Sequence, residues 1–564
     1  MGTIASVSLF ERAITYTAMN TARFRNLRLE PTRLENIVIL FLLIAFLLVT
    51  ILSSPQISVT LDEPLHYHYG LFVLQGNTNR IDDSSMPVLA LNAFPAYIAS
   101  RLPTGPLKET LEHYFMARLV TILYSAAVAY LIFHWSRSMY GFAPAIFSTV
   151  LYILDPNIIA HSQLVTTDIF ITGMTILTFY LIWKFANKRN LLNGLLCAIA
   201  LGLSQLVKYT AVALFPLAVT ALIIHDWPTI KNIYKERSVK KYGRYVGQLA
   251  SYLLVALIIT TVIINLGFRF NHTFTSIEDY RFRSSFFQSL QANLTTAKNI
   301  SIPLPYPYLQ GLDWMIHTNQ TADRYGNIYL LGHVSKPQGF PGYYFVAFAL
   351  KVPIATQILA LAALGMYFLN PRRRVRFTQD EVFCLTPIAF FTIYFNFFFN
   401  AQTGIRYELV IFPLLFIFTG SLFVDWETLP RSLKAAGALA ITYLAISTLS
   451  YFPHFTPYFN ELVWDKRQTY KYLADSNLEW GQSTGELEQY LSQHPDAIYS
   501  PNSIEPGLLV VSGSDLVGIL TRPEKYAWLR DNFKPVDTIA YAYFVYKITP
   551  EEIAKLCMTT TYCR

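Results

Sequence analysis

Between residues 36 and 451 the chain alternates long apolar runs with short polar connections. Most runs approach the 17 to 25 residues, roughly, that span about 30 Å of hydrocarbon. They fall near 36–53, 116–134, 141–154, 168–186, 191–207, 209–225, 248–267, 343–369, 380–400, 407–425 and 434–451. The pattern predicts a polytopic all-α membrane protein with about eleven transmembrane helices. An odd number puts the two termini on opposite sides.

Lys and Arg collect in alternate connections. Arg12, Arg23, Arg25, Arg28 and Arg33 precede the first run. Lys184, Lys188 and Arg189, then KNIYKERSVKKYGR (231–244) and PRRRVR (371–376), follow later ones. This places residues 1–35 and those connections in the cytoplasm. The opposite face receives residues 54–115, 268–342 and the tail from 452 to 564. In the tail, YKYLADSNLEWGQSTGELEQYLSQHPD has mixed helical spacing, and LLVVSG and AYAYFVYKI look like strands. The expected organisation is a cytoplasmic segment 1–35, a membrane module 36–451 and a small extracytoplasmic α/β domain 452–564.

Composition agrees. Of 564 residues, 53% are hydrophobic, 15% aromatic and only 14% charged, with mean hydropathy +0.34, outside the range of soluble globular chains. The net charge of +8 is accounted for by topology, and no soluble basic domain calls for nucleic acid. The basic, polar N-terminus lacks the h-region and cleavage site of a signal peptide, so the first run is expected to remain as a helix. Cys197 and Cys384 fall in apolar runs as small buried hydrophobes. Cys557 and Cys563 could pair in an oxidising compartment, and no Cys/His spacing suggests zinc. N-x-S/T tripeptides occur at Asn271, Asn293, Asn299 and Asn319, and matter only where the host has glycosylation machinery on that side.

Several ionisable residues sit at run ends on the outer face. TLDEPLHYHYG (60–70) carries Asp62 and Glu63 directly after the first run. LDPNIIAHSQLVTTDIF (154–170) brings Asp155, His161, Thr166, Thr167 and Asp168. Lys208 lies between two runs, and GIRYELVIFP (404–413) brings Arg406 and Tyr407. Each has a bland alternative. Asp62 could cap a short helix whose first turn holds Glu63 and Pro64. Thr167 and Asp168 could cap the fourth run, Lys208 could snorkel, and Arg406 could pair with Glu408. Together they predict a site with acids and bases facing an anionic, lipid-borne substrate.

LDEP after the first run, LDPNIIAHSQLVTTD, YYFVAFALKVP (343–353), GIRYELVIFP, YFNELV (458–463) and YLADSNLEWGQ (472–482) occur in that order. The chain thereby resembles the protein mannosyltransferase-type branch of the GT-C glycosyltransferases, glycosyltransferase family 39. That branch includes bacterial lipid A aminoarabinose transferases and eukaryotic protein O-mannosyltransferases, and the resemblance runs from about residue 36 to 550. It implies a GT-C fold that moves one sugar, with inversion, from a polyprenyl or dolichyl phosphate to a protein, lipid or glycan on the outer face. The membrane would be a bacterial or archaeal plasma membrane, or the endoplasmic reticulum in a eukaryote.

By match to the family's first-loop acid, Asp62 is the expected base, with Glu63 orienting or supporting it. Arg406 and Lys208 are the expected holders of the leaving phosphate, with His333 and Lys351 behind them and His161 and Tyr407 nearby. Asp168 orients the sugar or binds a divalent ion, with a helix cap as the competing account; no other cofactor is implied. The aminoarabinose branch carries a lysine before a paired proline in its first loop. Here SSMPVLAL (84–91) has Ser85 and Met86 before Pro87, so phosphate is held differently and the sugar cannot be carried over. The segment 268–342 is too short for the sugar-binding insertion of the eukaryotic enzymes. DSNLEWGQ (475–482) invites a catalytic reading of Asp475 or Glu479, but is expected to begin an amphipathic helix capped by Asp475 or Ser476, in a tail that covers the site or recognises the acceptor. A transporter or flippase of lipid-linked sugar is the other class considered, though no internal repeat of the kind common in transporters is visible.

Overall fold

The computed structural model describes residues 32–80, 82–294, 300–321, 326–335, 338–369 and 377–563. Arg12, Arg23, Arg25, Arg28, the 371–376 run and Asn299 lie outside them. The first helix is fixed at its start by a capping box. Thr32 Oγ1 accepts from the Glu35 amide (3.3 Å), and the Glu35 carboxylate accepts from the Thr32 amide (2.5 Å).

The protein is an integral membrane protein built mainly of helices. Six described helices are long and apolar enough to cross a bilayer: Arg33–Gln56, Tyr114–Tyr140, Asp168–Asn187, Val239–Gly267, Ile405–Phe423 and Arg431–Leu449. Three bent pairs raise the number to as many as nine. They are Phe142–Ile153 with Pro156–Ser162 (62°), Tyr209–His225 with Trp227–Lys235 (55°), and Tyr343–Lys351 with Ile354–Leu369 (117°).

The difference from about eleven expected spans has a local cause. The six helices and three bent pairs account for nine of the expected runs, and the pairs carry Pro156, Pro228 and Pro353 at or beside the bend, where proline lacks an amide donor and clashes with the preceding turn. The runs at 191–207 and 380–400 form helices of only 14 and 16 residues, Leu191–Ser204 and Val382–Phe397.

Residues 268–342 hold helices Ser285–Leu294 and Tyr306–Thr321 and a hairpin of β1 (Ile328–Leu330) and β2 (His333–Ser335). The side-chain amides of Asn271 and Asn319 donate to the carbonyls of Thr78 (2.9 Å) and Phe398 (3.1 Å).

The tail forms a four-stranded sheet ordered β3 (Ala497–Tyr499), β4 (Gly507–Ser512), β6 (Tyr543–Ile548), β5 (Asp537–Ile539). Strands β3 and β4 are parallel and the other pairs antiparallel. Side chains alternate across it. Leu509, Val511, Phe544 and Tyr546 join the same buried core as the membrane helices. Val510, Tyr543 and Val545 cluster with Leu487 of helix Thr484–Gln493 on the other face. One face of the sheet is therefore continuous with the helical core. Cys557 and Cys563 are disulfide-bonded.

Candidate active site

The chain leaves the first helix into a turn that one arginine organises. Arg118, buried in helix Tyr114–Tyr140, uses all five of its N–H donors. They reach the carbonyls of Ser54 (2.9 Å), Ile57 (3.0 Å) and Ser58 (2.8 Å) and both carboxylate oxygens of Glu63 (2.9 and 2.7 Å). Glu63 also accepts from the amides of Thr60 (2.8 Å) and Val165 (2.9 Å) and from Thr60 Oγ1 (3.2 Å). Its carboxylate is consumed in fixing the backbone on which Asp62 stands.

Asp62 occupies the N-cap position of helix Glu63–Leu74, yet its side chain makes no cap hydrogen bond. It turns instead to Arg406, 3.0 Å from Oδ2 to Nη1, with 39% of the side chain accessible. Its backbone is already helical (φ −85°, ψ −24°) and not extended as in a capping residue, so the partly accessible carboxylate turns to a cation, and this pairing is the central feature of the site. Arg406 donates to Thr403 Oγ1 (3.0 Å) and lies over the Trp480 ring (4.2 Å). Its Nε is buried without a partner, and it does not pair with Glu408.

Asp168 begins the helix Asp168–Asn187, where Thr167 makes no cap bond. Its buried carboxylate takes Lys208 Nζ at 2.6 Å, and that ammonium also lies 4.3 Å from the centre of the Tyr407 ring. Lys208 is thus held by an acid and an aromatic face, not extended to headgroups. His161 is buried with Nδ1 unpartnered, its ring 6.2 Å from that of Trp480. His66 Nδ1 faces the Val165 carbonyl at 3.1 Å. Burial pushes its imidazole below the usual range, opposed by the nearby charge of Asp62, so it is neutral near pH 7. At the far end of the same 20-residue helix stand Lys184 and then Lys188, about 30 Å from Asp168 at 1.5 Å per residue.

The tail enters the site. Asp475–Asn477 is a short 3₁₀ turn, and the following helix starts only at Thr484 with Ser483 as N-cap. This corrects the expectation of a helix capped by Asp475 or Ser476. The segment threads between the Asp62 and Arg406 loops. Ile405 N donates to Asn477 Oδ1 (3.0 Å), Ser476 Oγ donates to the Thr403 carbonyl, and Leu61 N donates to the Trp480 carbonyl (3.1 Å). Asp475 has φ +57°, a conformation that costs most side chains energy but that Asn and Asp tolerate. Its carboxyl is only partly exposed, and burial raises its pKa to about 6 against the lowering influence of Arg406.

Two expected phosphate ligands lie elsewhere. His333 is exposed on the β hairpin, where it pairs with Leu330. Lys351 is buried, donating to the carbonyls of Thr456 (2.7 Å) and Asn477 (2.5 Å). Its ammonium braces the tail segment from behind. Among the described residues no three His, Cys, Asp or Glu side chains are grouped to hold a metal ion, and the cation on Asp168 is Lys208.

The residues that sequence reasoning did not place here are Arg118, His66, Thr403, Asp475 and Trp480. Asp475 carried a signal, as an acid in a motif outside the spans, and His66 and Trp480 stood in the same motifs as Asp62 and Asp475 without a role assigned.

The model of the dolichyl-phosphate-mannose-protein mannosyltransferase family matches residues 91–275. The chain has no significant match among curated proteins. Of solved structures, ArnT from Cupriavidus metallidurans bound to undecaprenyl phosphate is 13% identical with a TM-score of 0.31, over 90% of this chain and 97% of that one. The Archaeoglobus fulgidus oligosaccharyltransferase in its apo form is 12% identical with a TM-score of 0.43, over 82% of this chain and 61% of that one. AglB from the same organism, in complex with an inhibitory peptide and a dolichol-phosphate, is 11% identical with a TM-score of 0.45, over 84% and 61%. The stretch that carries Arg118, Asp168 and Lys208 therefore matches the protein mannosyltransferase family, the one that the ordered motifs resemble.

Proposed function

We propose that this chain is a membrane glycosyltransferase that moves one sugar, with inversion, from a polyprenyl-phosphate donor to an acceptor hydroxyl on the outer membrane face. The observation that carries the reading is the pairing of the partly accessible Asp62 with Arg406, beside the Asp168–Lys208 pair that shares Tyr407 with it.

Asp62 takes the proton of the acceptor hydroxyl as its oxygen attacks the anomeric carbon. The bond from that carbon to the phosphate oxygen breaks, and its electron pair leaves with the polyprenyl phosphate. Arg406 and Lys208 lie where the anion departs. Arg406 offers a planar donor array with a buried, unpartnered Nε, suited to a phosphate. Such a base contributes about 10²- to 10⁴-fold to rate. Neutral His66 adds no competing positive charge beside the base. No step is routed through a metal ion.

The N-terminus is cytoplasmic and the tail outside in this reading. The Cys557–Cys563 disulfide supports that side as the oxidising one.

The test is transfer of labelled sugar from a panel of polyprenyl-phosphate sugars by the purified full chain, beside Asp62→Asn. Wild type is expected to transfer from at least one donor, and the variant to lose about 10³-fold in rate while still binding donor. Equal rates for the two would remove Asp62 as base. Failure with every donor would favour a transporter of lipid-linked sugar.

A further inference from the structure

Three carboxylates, Asp62, Asp168 and Asp475, act electrostatically on Arg406. The cations around them are Arg406, Lys208 and Lys351, the last held by the carbonyls of Thr456 and Asn477. A phosphodiester brings a further negative charge against this set, where like charges repel. Asp62 is bonded to Arg406, and Asp168 to Lys208. Asp475 accepts a bond from the Ser476 amide (2.5 Å) but has no cation of its own.

Asp475 is surrounded from several elements. Arg406 and Asp62 face it from their loops, Tyr343 from helix Tyr343–Lys351, and Glu479 from its own segment. Lys351 reaches the carbonyl of Asn477 two residues on. The turn that presents Asp475 is held by the bonds of Ser476 and Asn477 to Thr403 and Ile405, so the backbone that carries the carboxyl is fixed beside Arg406.

Resting on the reading of a polyprenyl-phosphate donor, we propose that Asp475 is the proton-linked gate of the donor site: it shares the field of Arg406 with Asp62 and takes up one proton when the lipid phosphodiester docks. No covalent step is involved; the proton comes from solvent through the partly open cleft. The carboxyl pKa of about 6 makes Asp475 the acid that this further charge protonates at least cost.

The test is binding of polyprenyl methyl phosphate to the purified full chain in lipid nanodiscs between pH 6 and pH 8. This diester remains a monoanion throughout and needs no knowledge of the sugar. For a gate that titrates at about 6, wild-type affinity is expected to fall about fiftyfold across that window, since only the protonated form binds well. Asp475→Asn, which keeps the tolerated left-handed backbone, is expected to bind at pH 8 as wild type does at pH 6, with almost no pH dependence. Calorimetry of wild type in buffers of different ionisation enthalpy counts the proton directly, without a variant.

Binding with the same pH dependence in both proteins, or without proton uptake in wild type, overturns the gate and leaves the donor reading standing. No binding by wild type at any pH overturns the donor reading and the gate with it.

Discussion

Arg118 and Glu63 form a two-point ion pair, 2.9 Å from Nε to Oε1 and 2.7 Å from Nη2 to Oε2, with both side chains buried. Glu63 is the next residue after Asp62. The pair converts a reversal of chain direction at residues 54–62 into a rigid platform, because the remaining donors of Arg118 fix three backbone carbonyls of that turn.

Arg118→Met is expected to lower unfolding stability by about 3–5 kcal/mol, since it leaves the Glu63 charge buried and uncompensated. Adding Glu63→Gln is expected to recover part of this, because the neutral amide needs no counter-charge. A double-mutant cycle on denaturant unfolding reads the coupling. Additive losses would show that the pair does not act as a unit.

Arg406 tests the phosphate side of the site. Arg406→Lys keeps the charge but gives up the bond to Thr403, the stack on Trp480 and the planar donor array. Affinity for polyprenyl methyl phosphate is expected to fall about 10- to 100-fold, the loss of roughly 1.4–3 kcal/mol for charge-assisted bonding and stacking. Affinity within twofold of wild type would mean that the phosphate is held by Lys208 or by backbone alone.

How much of this was legible in the sequence depended on where each residue falls. Asp62, Asp168, Lys208 and Arg406 sit at the ends of apolar runs, where a charge stands out and the membrane confines it to one face. Arg118 was hidden because it lies inside an apolar run and its partner is 55 positions away, with no periodicity linking them. Lys351 was misplaced because a lysine inside an apolar run looks the same whether it faces a ligand or backbone carbonyls. DSNLEWGQ looked like a helix start because polar capping residues precede an amphipathic stretch. Its return into the membrane module is fixed by tertiary hydrogen bonds to Thr403 and Ile405, which no local pattern encodes. Of the eleven expected spans, the runs at 191–207 and 380–400 give helices shorter than a full crossing, and the run at 343–369 bends sharply at Pro353.

Gly404 is where that return is most exposed to a single change. It has φ +126°, and a Cβ there would collide with Ser476 Oγ and lie 3.4 Å from Asn477 N. The residues on either side, Thr403 and Ile405, bond to Ser476 and Asn477, so glycine is required both by conformation and by the close approach of two backbones. Gly404→Ala is expected to unseat residues 475–482, exposing them to protease, and to lower transfer by at least about tenfold through misplacement of Arg406. Gly365 is the control: it lies inside the helix Ile354–Leu369 with nothing within 4 Å of an added Cβ. Gly365→Ala is expected to gain about 0.5–1 kcal/mol in helix stability with transfer unchanged. If Gly404→Ala instead matches wild type in protease resistance and transfer, the tail does not need this contact to hold the site.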